Sequence, residues 1–207
     1  LAQNAGGGIV IEGDEIRELV PSGKKPSVPC TVFDASSHVI LPGLVNTHHH
    51  FYQTLTRALA PALGKELFDW LKALYPVWSG LDPEGLAVAT ELALTELMLS
   101  GCTTSSDHHY LYPAGLEDAV DIQVAVAAQI GMRVTLTRGS MDLSQKDGGL
   151  PPDSVVQQTD AILIDSERVV NRYHEQGPGA MIQIALAPCS PFSATQDLMR
   201  ETAALAS

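Results

Sequence analysis

Val39-Ile40-Leu41-Pro42-Gly43-Leu44-Val45-Asn46-Thr47-His48-His49-His50 is the stretch on which the fold turns. Its apolar first half, 39–46, has the composition of a buried strand, and that strand runs straight into three histidines. Downstream, strand-like and helix-like segments alternate. Asp82-Pro83-Glu84 carries a helix start: Asp caps, Pro fits the first turn, and Glu suits the positive end of the dipole. Leu86, Ala89, Ala93 and Leu97 follow at helical spacing, and Gly101 stands where a helix stops. The polar but β-prone run 102–106 is next, then a helix over 117–130 and a strand over 132–137. Ser154 to Gln157 has capping-box form before a helix reaching about His174. A strand over 181–187 and a second capping box at Ser193 to Gln196 complete the pattern. Four strand–helix repeats predict a parallel sheet with right-handed crossovers, and such sheets place their sites at the carboxyl ends of the strands.

The segment before residue 39 reads differently. Ile9-Val10-Ile11 and Ile16 to Val20 flank a turn at Glu12 to Glu15, predicting a hairpin, and Cys30 to Asp34 has the character of a further strand. Two or three strands bury no core of their own, so this segment is expected to pack on something else or to be part of a larger sheet. The chain has 207 residues, 45% hydrophobic and 17% charged, with a formal net charge of −12. The apolar fraction excludes disorder, and the negative field argues against nucleic acid or an anionic membrane as partner. Three widely spaced cysteines, Cys30, Cys102 and Cys189, do not make a disulfide framework and fit a reducing compartment. With no leader-like segment and no long apolar run, the expectation is a cytoplasmic protein. The length falls short of the roughly 250 residues of a complete (β/α)8 barrel.

Side chains alternate along a strand, so His48 and His50 share a face while His49 points away. Two imidazoles two residues apart can ligate one metal ion, and neutral imidazole nitrogen suits zinc. His108 and His109 follow the second strand on the same rim but face opposite ways. We take His109 as the candidate substrate contact, with His108 the alternative. Arg138 follows the third strand and can offer its fork of donors to a carbonyl or anion, or else hold a salt bridge. Cys189 follows the fourth and lines the same rim, as a wall residue rather than a nucleophile, since no base accompanies it. The loop after the histidines holds both tryptophans, Trp70 and Trp78. Trp78 suits an aromatic wall for a flat ligand, whereas Trp70 pairs with Leu74 at helical spacing as packing. Gln53 and Arg57 are the polar positions there best placed to reach a ligand.

Pro42-Gly43-Leu44-Val45-Asn46-Thr47-His48-His49-His50 resembles the PGxxNxHxH signature of the amidohydrolase superfamily. The similar branch holds guanine and cytosine deaminases, S-adenosylhomocysteine deaminases and triazine hydrolases. Further matching stretches are 49–57, 74–78, 103–110, 138–143 and 187–192, so the likeness extends over nearly the whole chain. The resemblance implies a (β/α)8 TIM barrel with a small β-domain: residues 1–38 are then part of that β-domain, and 39–207 are the N-terminal half of the barrel, its first four β/α units. It implies one divalent metal, zinc first with Fe2+ or Mn2+ as alternatives, held by His48 and His50 together with a third histidine and an aspartate. It implies hydrolytic deamination of a purine-like ring, with 8-oxoguanine as first substrate. Metal-bound hydroxide would attack the amine-bearing carbon, and a glutamate and the aspartate would move protons. The third histidine, the glutamate and the aspartate have no match before Ser207. The expectation is therefore an N-terminal half, inactive alone, of an enzyme that is homo-oligomeric when complete. Guanine, S-adenosylhomocysteine and a hydroxytriazine are alternative substrates, and a non-catalytic half-barrel is the alternative from another class.

Overall fold

The computed structural model describes residues 5–207. The chain divides into two compact units, Leu1–Pro42 and Gly43–Ser207, against a boundary after residue 38 read from the sequence. In the first unit, β1 (Gly8–Glu12) and β2 (Glu15–Val20) form the expected antiparallel hairpin, with a register shift between Val10 and Ile11. The further strand expected at Cys30–Asp34 does not form; those residues are exposed and irregular.

The second unit is a four-stranded parallel sheet in the order β3 (Leu44–Asn46), β4 (Cys102–His109), β5 (Arg133–Ser140) and β6 (Ile182–Pro188). The helices are α1 (Leu67–Trp78), α2 (Pro83–Leu99), α3 (Ala119–Ile130), α4 (Thr159–Tyr173) and α5 (Gln196–Leu205). Spatial order follows chain order, as right-handed β/α repeats require. The first strand is shorter than expected and is not buried: only Leu44–Asn46 pairs, and Leu44 and Val45 are exposed. Its place explains this, because β3 is the edge strand and has β4 on one side only.

Local chemistry sets the helix ends. Asp82 Oδ1 accepts from the Gly85 N–H at 2.7 Å, and Pro83 opens α2, as read from the sequence. Gly131 ends α3 at φ 79°, a left-handed conformation that a Cβ would penalise. The two expected capping boxes are corrected. Val155 lies in a short 3-10 turn, and α4 starts only at Thr159 with no side-chain cap. The intervening chain is held extended because the Gln157 N–H donates to the Met141 carbonyl. At α5 the cap is Thr195, whose Oγ1 accepts from the Leu198 N–H at 3.1 Å; Ser193 turns instead to Ser190.

Along β4 and β5 burial alternates with the two-residue period of a strand. Val134, Leu136 and Arg138 are buried against the helices, while Thr135 and Thr137 on the opposite face are only partly covered. Phe51, Leu94, Val120, Val134, Leu136, Val169 and Ile184 form the core between sheet and helices. A second cluster lies at the carboxyl ends of the strands: Tyr52, Tyr75, Trp78, Leu86, Tyr110, Leu111, Tyr112 and Met141. Leu136 is fully buried at the centre of the first cluster. Leu136→Ala should cost about 3 kcal/mol, through lost transfer energy plus the cavity left behind. Urea unfolding followed by circular dichroism checks this, and a loss below about 1 kcal/mol would place Leu136 outside the packed core.

Candidate active site

The histidine cluster leaves β3 at its carboxyl end. The Asn46 side-chain oxygen accepts the His48 N–H at 3.1 Å, tying the first histidine back to the strand. The His48 and His50 rings lie edge to face, their centroids 5.0 Å apart. His49 turns away and packs its ring against Phe51 at 5.1 Å. The shared side expected of His48 and His50 is thus what the structure shows. His50 Nδ1 donates to the His108 carbonyl at 2.7 Å. That bond occupies one ring nitrogen with the proton and leaves Nε2 with its lone pair free, the tautomer a metal needs. Burial pushes the His50 pKa down to about 4, so the ring is neutral at pH 7. Among the described residues, no three His, Cys, Asp or Glu side chains converge as a metal cluster. The chain therefore brings a pair of donors to this rim.

Two adjoining clefts share His50, Gln53 and Trp70. The larger, about 400 Å³, is also lined by His49, Thr54 and Arg57. The smaller, about 260 Å³, is lined by His108, Tyr110, Leu71 and Cys189. Neither is lined by a carboxylate. Gln53 follows from a 3-10 turn over Phe51–Thr56, and its Nε2 donates to the Tyr52 hydroxyl at 3.1 Å. Its carbonyl oxygen remains an acceptor. Arg57 reaches the cleft but is held in a fork by Glu96 on α2, at 3.1 and 2.7 Å. Burial pushes the Cys189 thiol above its ordinary pKa, so it stays protonated, in keeping with a wall residue.

Three expected contacts lie elsewhere. His109 is fully buried on the helix-facing side of β4, where its Nε2 donates to the Leu111 carbonyl at 2.7 Å. His108, one residue earlier, faces the cleft instead. Trp78 is buried behind the rim, its indole N–H donating to Thr56 Oγ1 at 3.0 Å, and Trp70 rather than Trp78 is the cleft wall. Arg138 is 1% exposed and faces the helices. Its Nε meets Asp165 Oδ2 at 2.7 Å, Nη2 meets Gln157 Oε1 at 2.7 Å, and Nη1 donates to the Gly139 carbonyl at 2.6 Å. Its guanidinium lies 3.8 Å from the centre of the Tyr112 ring. The salt-bridge alternative is the one that the structure realises. His174, at the end of α4, sets its Nδ1 3.1 Å from both the N–H and the carbonyl oxygen of Ile184. Tyr110 and His108 were legible only as part of a rim, because assigning them to the cleft requires the phase of β4.

The chain matches the amidohydrolase family over residues 39–207 and belongs to that family. It is 61% identical over 204 residues to 8-oxoguanine deaminase from Pseudomonas aeruginosa PAO1, covering 98% of this chain and 45% of that protein. It is 37% identical over 193 residues to hydroxydechloroatrazine ethylaminohydrolase from Pseudomonas sp. strain ADP, covering 92% and 40%. Among solved structures, atrazine chlorohydrolase TrzN from Arthrobacter aurescens TC1, complexed with zinc, superimposes with a TM-score of 0.82 at 27% identity. That match covers 96% of this chain and 45% of the other. The four-stranded unit is thus part of a (β/α) barrel, and the chain spans less than half the length of these relatives.

Asp165→Ala would strip Arg138 of its carboxylate while leaving the guanidinium buried. Breaking such a pair costs about 3 kcal/mol. Chemical denaturation of the variant should show that loss, and a change below about 1 kcal/mol would mean that Gln157 and the Gly139 carbonyl suffice.

Proposed function

We propose that this chain supplies part of the active site of a metal-dependent aminohydrolase that deaminates a purine-like ring hydrolytically. The first substrate is 8-oxoguanine, yielding urate and ammonia. The observation that carries the reading is the His48–His50 pair, with the second ring neutral and its Nε2 free beside a cleft walled by Trp70 and Tyr110. The 61% identity to an 8-oxoguanine deaminase favours that substrate over guanine, S-adenosylhomocysteine or a hydroxytriazine.

His48 and His50 would hold a divalent cation, zinc first, with Fe2+ and Mn2+ as alternatives. When bound, such an ion supplies a Lewis acid that lets water ionise near neutral pH. The flat ring of the substrate lies against Trp70 and Tyr110, aromatic faces suited to a heteroaromatic ligand. Gln53 orients that ring: one of its amide N–H groups is committed to Tyr52, and its carbonyl oxygen accepts from a ring N–H. Cys189 closes the far wall as a neutral thiol. Arg57, paired with Glu96, sets the charge at the mouth of the larger cleft. Residues 1–38 contribute to a small β-domain. We place the protein in the cytoplasm, with its three cysteines unpaired, and as a homo-oligomer when complete. No helix among the described residues is long and apolar enough to cross a membrane.

In the full-length protein, ammonia release across 8-oxoguanine, guanine, S-adenosylhomocysteine and a hydroxytriazine should be highest for the oxidised purine. A higher kcat/KM for any of the other three would reassign the substrate. His50→Ala should remove bound metal and deamination together. A variant that keeps stoichiometric metal by elemental analysis would remove His50 from the ligand set.

A further inference from the structure

Asp107 lines neither cleft. Its carboxylate is fully buried on the helix side of β4, yet it reaches the chain at the histidine cluster. Oδ1 accepts the Phe51 N–H at 2.7 Å, and Oδ2 accepts from Gln123 Nε2 on α3 at 2.5 Å. The neighbouring residue completes the attachment through its backbone. The His108 N–H donates to the His49 carbonyl at 2.8 Å, and the His108 carbonyl accepts from His50 Nδ1 at 2.7 Å. His49, His50 and Phe51 are thus each fastened to Asp107 or His108. Phe51 also opens the 3-10 turn that carries Gln53, and that turn has no side-chain cap from His50. The Asp107 carboxylate takes that place from the adjacent strand, accepting an N–H that would otherwise be orphaned.

We propose that Asp107 is a positioning residue for His50: by holding the Phe51 N–H it sets the backbone so that Nδ1 meets the His108 carbonyl and Nε2 faces the cleft, with Gln123 orienting the carboxylate. This deepens the proposed function and rests on its reading of His50 as a cleft-facing donor. What acts is hydrogen-bond geometry rather than charge. Gln123 Oε1 is buried and finds no partner among the described residues. In Asp107→Asn, Oδ1 can keep the Phe51 N–H while Nδ2 donates to Gln123 Oε1 once the Gln123 amide turns over. Asn should therefore rescue what Ala loses.

The test compares Asp107→Asn and Asp107→Ala in the full chain. Three readouts are taken: hydrogen exchange of the Phe51 amide, the His50 ring nitrogen shifts without metal, and cobalt(II) affinity by chelator competition. In Asp107→Ala, the Phe51 amide should lose at least about tenfold in protection relative to the Val134 amide in β5, beyond any global change. The His50 ring should show mixed tautomers, and cobalt affinity should fall about tenfold. Asp107→Asn should stay within about twofold of wild type in exchange and affinity, with a single His50 tautomer. Wild-type Phe51 protection or an unchanged His50 tautomer in Asp107→Ala overturns the proposal. So does an Asn variant as impaired as Ala, because charge would then be the agent. If Asp107→Ala does not fold, Gln123→Leu takes its place: a partial loss at the Phe51 amide and His50 ring supports the assignment, and no loss opposes it. Should cobalt affinity be unchanged even in His50→Ala while the Asp107 variants still alter the Phe51 and His50 signals, the metal reading fails and the positioning role stands.

Discussion

The hydrogen-bond ladder between β4 and β5 runs unbroken from Thr104 opposite Arg133 to His109 opposite Arg138. That register assigns each rim residue to a face. Ser105, Asp107 and His109 go to the helices, as do Val134, Leu136 and Arg138, while Ser106, His108 and Thr137 go to the opposite face. A slip of one residue would send Asp107 to the cleft and His108 into apolar packing. The cleft, the support behind the histidines and the buried arginine all depend on this phase. A close approach marks it too: a Cβ on Gly139 would sit 2.2 Å from the His109 carbonyl oxygen, so this part of the ladder admits no larger residue without a shift.

Polar groups behind the rim form a second framework. Arg138 joins β5 to α4 through Asp165, Asp165 also binds Arg168, and Arg168 meets Asp121 on α3 at 2.6 Å. Tyr173 donates to Asp121 at 2.6 Å as well, and these partners hold the Asp121 carboxyl below its usual pKa, with Arg168 the main cause. At the inner end, Arg138 is buried, and three of its five N–H donors go to Asp165, Gln157 and the Gly139 carbonyl. Such a chain contributes orientation more than net stability, because the cost of desolvating the charges offsets much of their attraction. It fixes how α3 and α4 sit against the sheet, and Gln123, the partner of Asp107, is on α3.

Burial acts on the two carboxylates in opposite company. Asp121 has three cationic or hydroxyl partners and is held ionised. Asp107 has only neutral donors, and burial raises its pKa to about 7. The histidines follow the same logic: burial keeps His50 and His109 neutral, the latter pushed down to about 3. Of these two, only His50 presents a free ring nitrogen to a cleft; the Nδ1 of His109 is enclosed and has no partner among the described residues.

The order of strands and helices was legible because hydrophobic period and capping chemistry are local. Asp82, Gly101 and Gly131 mark helix ends in the chain itself, and the PGxxNxHxH run marks the end of a strand. The pairing of His48 with His50 was legible for the same reason, since alternation over two residues needs no partner. What tertiary structure alone decided is which side of a strand faces the ligand. His109, Trp78 and Arg138 have the chemistry of contacts, but β4 pairing, the turn of α1 and the nearness of Asp165 consign them to the interior. His108, Tyr110 and Trp70 take the cleft instead. Asp107 could not be singled out either, because its partners Phe51 and Gln123 are distant in sequence and meet it only when β4 lies against both. Sequence by itself determined which residue types arrive at the rim. The phase of the strands, a property of long-range pairing, decided which of them face outward to react and which turn inward to support.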